Sequence, residues 1–111
     1  MRILFLGDIV GVSGCSKIMN NLLNQIKIKN IDFVIVNAEN AAEAGVGLTK
    51  EICQDFFNCG VNVITTGNHV WDQKEIMNFI DKENRLLRPK NLFEPAPGKG
   101  FEVFTTKNNF R

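Results

Sequence analysis

The sequence predicts an α/β fold of layered βαβ units with parallel strands, in one domain over residues 1–111. Three short apolar runs predict it: RILFL at 2–6, FVIV at 33–36 and VNVIT at 61–65, each ending in polar residues or glycine. Helical patterns lie between them, so strand and helix alternate on a beat of about thirty residues. Short β-branched runs with no polar alternation read as strands buried on both faces. Such strands join through right-handed crossovers into a parallel sheet.

Each element has its own signal. The first run ends in Gly7-Asp8, and Ile18, Leu22 and Ile26 then recur every four residues, with Met19 and Leu23 widening the stripe. The second run ends in Asn37-Ala38-Glu39-Asn40. Thr49 is placed to cap a helix whose apolar face is Ile52, Cys53, Phe56 and Phe57, with Gly60 ending it. The third run ends in Gly67-Asn68-His69. Asp72 with Glu75 three residues on resembles a capping box, opening a further helix with Ile76 and Ile80 inward. From Asp81 the pattern weakens into a charged, then proline- and glycine-rich excursion. FEVFTT at 101–106 reads as another strand and KNN at 107–109 as a turn. With only Phe110 and Arg111 beyond that turn, the expectation is half a hairpin and a truncated domain.

Composition narrows the function classes. The 111 residues carry a net charge of +1, with 23% charged and 44% hydrophobic. That is core enough for a small domain, without the clustered basic excess that tracks a nucleic-acid polymer. No apolar run approaches the ~20 residues that span a bilayer. The opening MRILFLGD is too short for a signal peptide, so a cytoplasmic setting is expected. Cys15, Cys53 and Cys59 are odd in number and form no CxxC pair. Reduced thiols, and not a disulfide framework or a thiolate metal site, are the expectation.

Chemistry points to the strand ends. Asp8, Glu39 and Asn68 each follow a strand, 31 and 29 residues apart, about one βαβ unit each. In a parallel sheet all three leave at the carboxyl edge, where open α/β sheets bind ligands. Strands ~4.8 Å apart bring such side chains together if the three strands are close neighbours. Two carboxylates and a carboxamide oxygen are hard donors, suited to manganese, magnesium or iron. Two divalent ions on such a set leave a positive site that attracts and polarises a phosphate ester. His69, the one histidine, is then placed to protonate the departing oxygen. Each residue has an ordinary reading as well. Asp8 shapes a βα turn, Glu39 is a solvated loop residue, Asn68 caps a turn, and His69 makes a local hydrogen bond. Their coincidence at one edge is what favours a site. The glycines of GDIVGVSG match neither a Walker loop nor GxGxxG. ENAAEAGVG at 39–47 is small enough to let a phosphate approach backbone amides, or is a plain loop.

The stretches ILFLGDIVG, DFVIVNAENAA, VITTGNHVWD, LLRPKN and PGKG together resemble the calcineurin-like metallophosphoesterases, and within them the YmdB-type bacterial branch, whose members act on cyclic nucleotides and other phosphodiesters. The resemblance implies half of a metallophosphoesterase α/β sandwich and a cofactor of two divalent metal ions. By the same resemblance Asp8 ligates the first ion, Glu39 bridges both, Asn68 ligates the second, Asn40 adds a contact, and His69 is the acid at the leaving group. Where members of the superfamily often show Asp-Xaa-His, Ile9-Val10 follows Asp8 here. Arg88 and Asn91 match an RPxN stretch, with a helix exit the ordinary reading of Arg88-Pro89. Members are more than twice this long, and their downstream half supplies histidines, among them a His-Xaa-His pair, that this sequence lacks. Three or four donors do not fill two shells wanting about eight to twelve. Incompletely liganded metals and impaired activity on a phosphodiester or cyclic-nucleotide substrate are therefore expected; the alternative is a non-catalytic remnant or half-domain that self-associates or pairs with a complementary chain.

Overall fold

A computed structural model describes all of residues 1–111. Four strands form one sheet in the order β1-β2-β3-β4, with β1 at Ile3–Leu6, β2 at Phe33–Asn37, β3 at Val63–Thr65 and β4 at Leu86–Leu87. Every pairing is parallel. Leu6 lies opposite Val36, Val36 opposite Ile64, and Ile64 opposite Leu86. The expected α/β class and parallel sheet are thus present, and the three strands that precede Asp8, Glu39 and Asn68 are direct neighbours.

Helix α1 spans Gly11–Lys29 and α2 spans Lys50–Asn58. Lys27 and Lys29 lie in the last turn of α1, where a cation meets the negative end of the helix dipole. Asn30 then takes the left-handed conformation, φ 50°, and ends the helix. Thr49 caps α2 as its sequence implies, its Oγ1 accepting from the Ile52 amide at 3.2 Å. Register alternation puts Leu4, Leu6, Val34, Val36 and Ile64 on one sheet face. Val34, Val36 and Ile64 are buried there in one cluster with Leu22, Leu48, Phe56 and Leu86. Each fully buried side chain of that size contributes roughly 1.5–3 kcal/mol.

The opposite face is thinly covered. Ile3 and Phe5 are 51% and 59% exposed, while Phe33 is buried and its ring lies 6.0 Å from that of Phe104. The 101–106 segment that carries Phe104 forms no strand, contrary to its alternating sequence. Its backbone makes no ladder with the sheet, and the bridge nearest to it pairs Leu87 with Lys99. The turn at 107–109 is present.

Two further readings are corrected. The region after Asp72 is not an α-helix but two 3-10 turns, Lys74–Asn78 and Ile80–Lys82, with Ile76 and Ile80 buried as expected. The capping box is absent because its parts are engaged elsewhere. The Asp72 carboxylate meets His69, and Glu75 Oε1 accepts from the Lys50 amide at 2.7 Å. Arg88 does not leave a helix; it follows β4 and is buried, donating to the Pro89, Ala96, Pro97 and Gly98 carbonyls and to Glu94. It folds the 89–98 excursion back onto the sheet. No helix is long and apolar enough to cross a membrane.

Candidate functional site at the carboxyl edge of the sheet

The chain beyond each strand stays in step with its neighbour. The Ile9 amide donates to the Asn37 carbonyl at 3.3 Å, Ala38 to Thr65 at 3.0 Å, and Thr66 to Leu87 at 3.0 Å. Val10 and Asn40 form an isolated parallel bridge. The loops bearing Asp8, Glu39, Asn40, Asn68 and His69 therefore leave one edge side by side. Asp8 turns the chain with φ 57°, a left-handed conformation that aspartate tolerates better than most residues.

The Glu39 loop is tied down from three sides. The Gly11 amide donates to the Asn40 carbonyl at 2.9 Å, the Cys15 thiol to the Ala41 carbonyl at 3.2 Å, and Gln73 Nε2 to the Val46 carbonyl at 3.1 Å. Gly47, at φ +80°, lets Gln73 lie directly over the loop; a Cβ there would sit 2.6 Å from Gln73 Cγ. Gly67 does the same for Glu39. Its α-carbon faces the carboxylate so closely that a Cβ would lie 2.0 Å from Oε2 and 2.6 Å from Oε1.

Held there, Glu39 Oε2 and Asn40 Oδ1 are buried and have no hydrogen-bond partner in the protein. Buried polar atoms without partners are uncommon and costly. Unpartnered oxygens on two successive residues, one of them a carboxylate, are of the type that a hard cation satisfies. The donor types thus fit a divalent ion, but the donor number does not complete its shell. No three His, Cys, Asp or Glu side chains gather into a metal-holding group. Glu39 and Gly67 are brought together; Asp8 and Asn68, both exposed, and His69 leave the same edge without closing into one cage.

His69 Nδ1 lies 2.6 Å from Asp72 Oδ2. The sequence reading missed both that partnership and the Gly67 cradle. A glycine at a strand exit is a signal of close backbone approach; Asp72 carried none, because its spacing to Glu75 read as a cap. The three thiols are free and buried. Burial raises all three, most of all Cys53, pushed up to about 12.

The model for YmdB-like proteins matches residues 4–111. The chain is 46% identical over 101 residues to the 2',3'-cyclic-nucleotide 2'-phosphodiesterase of Bacillus subtilis, covering 90% of this chain and 38% of that protein. Its fold superposes on a crystal structure of a hypothetical protein from Thermus thermophilus with a TM-score of 0.83 at 36% identity, over 93% of this chain and 40% of the other. A novel phosphatase from Mycoplasma pneumoniae gives 0.82 at 37% identity, over 94% and 39%. The chain thus spans about two fifths of these proteins' length. By the match across 4–111, it belongs to the YmdB-like family.

Proposed function

We propose that this chain carries the amino-terminal ligands of a metal-dependent phosphoesterase acting on phosphodiesters or cyclic nucleotides in the cytoplasm. The kinship with a cyclic-nucleotide phosphodiesterase and a phosphatase supports the reaction class. The observation that carries the metal dependence is the pair of orphan oxygens on Glu39 and Asn40. Asp8, Glu39, Asn40 and Asn68 would hold two divalent ions of iron, manganese or magnesium. When bound, such ions supply positive charge and Lewis acidity toward a phosphoryl oxygen. His69 donates a proton to the departing ester oxygen. Because these donors fill only part of two shells, the isolated chain binds metal weakly and turns over slowly.

Manganese titration of the pure chain, followed by thermal melting and by turnover of a chromogenic phosphodiester, tests this. Bound metal stabilises by RT ln(1 + [Mn]/Kd), about 2.7 kcal/mol at a hundredfold excess over Kd. Glu39→Gln keeps the side-chain shape, removes the charge and abolishes the stabilisation. A wild-type melt indifferent to manganese refutes the metal reading. Two metals retained through gel filtration with brisk turnover refutes the impairment.

One observation favours a second reading, a half-domain that pairs with a complementary chain. Ile3 and Phe5, two residues apart on one face of the edge strand β1, are both more than half exposed, apolar area on a sheet edge that a partner chain can cover.

A further inference from the structure

The GNHVWD segment folds as two overlapping turns. The Val70 amide donates to the Gly67 carbonyl and the Asp72 amide to the His69 carbonyl, both at 3.1 Å. Val70 is buried, and Trp71 packs against the core. With these two residues anchored, the side chains of 69 and 72 meet outside the core, at 36% and 41% exposure. The Asp72 carboxylate makes no other side-chain hydrogen bond, and the 3-10 turn that follows has no side-chain cap. The carboxylate therefore does not serve the fold as a cap.

A carboxylate accepts and does not donate. At 2.6 Å from it, Nδ1 of His69 must carry its proton. Resting on the phosphoesterase reading of this edge, we propose that Asp72 is a positioning residue. It keeps Nδ1 protonated and fixes the ring so that Nε2 faces the substrate, the nitrogen that takes up the second proton and releases it to the departing oxygen. A carboxylate hydrogen-bonded to one ring nitrogen commonly sets how the other acts.

The chain has a single histidine, so one nitrogen-15 long-range spectrum of the ring, taken at mildly alkaline pH, reads the tautomer without overlap. Wild type is expected to show a protonated Nδ1 and a bare Nε2. Asp72→Ala, and Asp72→Asn as the isosteric control, are expected to shift the ring toward Nε2–H, with the backbone amide spectrum otherwise retained. A wild-type ring already in the Nε2–H form, or one unchanged by either substitution, overturns the proposal. In the turnover assay Asp72→Asn is expected to lower kcat about tenfold or more, a share of the ~10²–10⁴ that acid–base catalysis supplies, with KM little changed. Loss confined to KM also overturns it. Absence of wild-type turnover counts against the phosphoesterase reading alone, since the tautomer is read without substrate or metal.

Discussion

Replacing Gly67 by alanine probes how the orphan carboxylate is held. The added Cβ would fall 2.0 Å from Glu39 Oε2, 2.4 Å from Cδ and 2.6 Å from Oε1. Ordinary contact begins near 3.4 Å, so Oε2 must retreat by about 1.4 Å. Metal–ligand distances tolerate only ~0.2 Å, so a retreat of that size removes the oxygen from any shared coordination sphere. Metal affinity is expected to fall by at least the ~10–100-fold that follows loss of an outer-shell partner. Gly67 is not among the positive-φ residues, so alanine brings no backbone strain there, and the folding cost is the ~1–3 kcal/mol of overpacking. The assay is a double-mutant cycle with Glu39→Ala, read by urea denaturation and manganese calorimetry. Removing the carboxylate removes the clash, so Gly67→Ala is expected to cost ~1–3 kcal/mol less in the Glu39→Ala background. An undiminished cost there, or wild-type manganese affinity in the single variant, refutes the cradle.

Two other outcomes follow from the buried groups. Arg88 has a side-chain exposure of 2% and five hydrogen bonds into the 89–98 loop. Arg88→Lys keeps the charge but not the planar fork, and is expected to cost ~3 kcal/mol by urea denaturation while leaving the manganese response intact. A cost under ~0.5 kcal/mol, the range of ordinary surface changes, would count against the clamp. Cys53, raised from 9.0 to about 12 by burial, stays a thiol in the folded chain, so alkylation near pH 8 is expected to require unfolding. The unfolded chain loses that proton first. Stability from this group is therefore complete below pH 9.0 and declines as pH rises toward about 12. Rapid labelling of Cys53 in the native state would contradict its burial.

What the sequence made legible was whatever had a local cause. β1, β2 and β3 are runs whose apolar content and glycine or polar boundaries mark them without help from neighbours. α2 carries its cap and its apolar face within ten residues. β4 had no such mark. Two residues, Leu86 and Leu87, sit between Arg85 and Arg88, too short for any period and next to a charge that is buried only because a later loop brings its carbonyls back. FEVFTT failed in the other direction. Its alternation is real, but alternation describes a half-buried face and does not supply a partner. The Asp72 cap failed through competition, since a carboxylate that fits a cap also fits an imidazole, and the turn geometry favoured the imidazole.

The same division runs through the site. That Asp8, Glu39 and Asn68 leave one edge followed from the thirty-residue beat and the parallel class, both local inferences. That Glu39 would be stranded without a partner did not, because desolvation depends on what covers the group. Here the cover is Gly67, whose missing side chain lets the β3 exit close over the carboxylate. Burying an ionisable oxygen with nothing to accept from costs about 1–3 kcal/mol or more, and folding alone gives no return for it. Neighbouring Asn40 repeats the arrangement one residue on. Two oxygens left without partners at the edge where ligands bind α/β sheets are what the proposed cation would satisfy. The binding prediction and the stability prediction are therefore one statement, and manganese must stabilise the wild-type chain more than the Glu39→Gln variant if either is right.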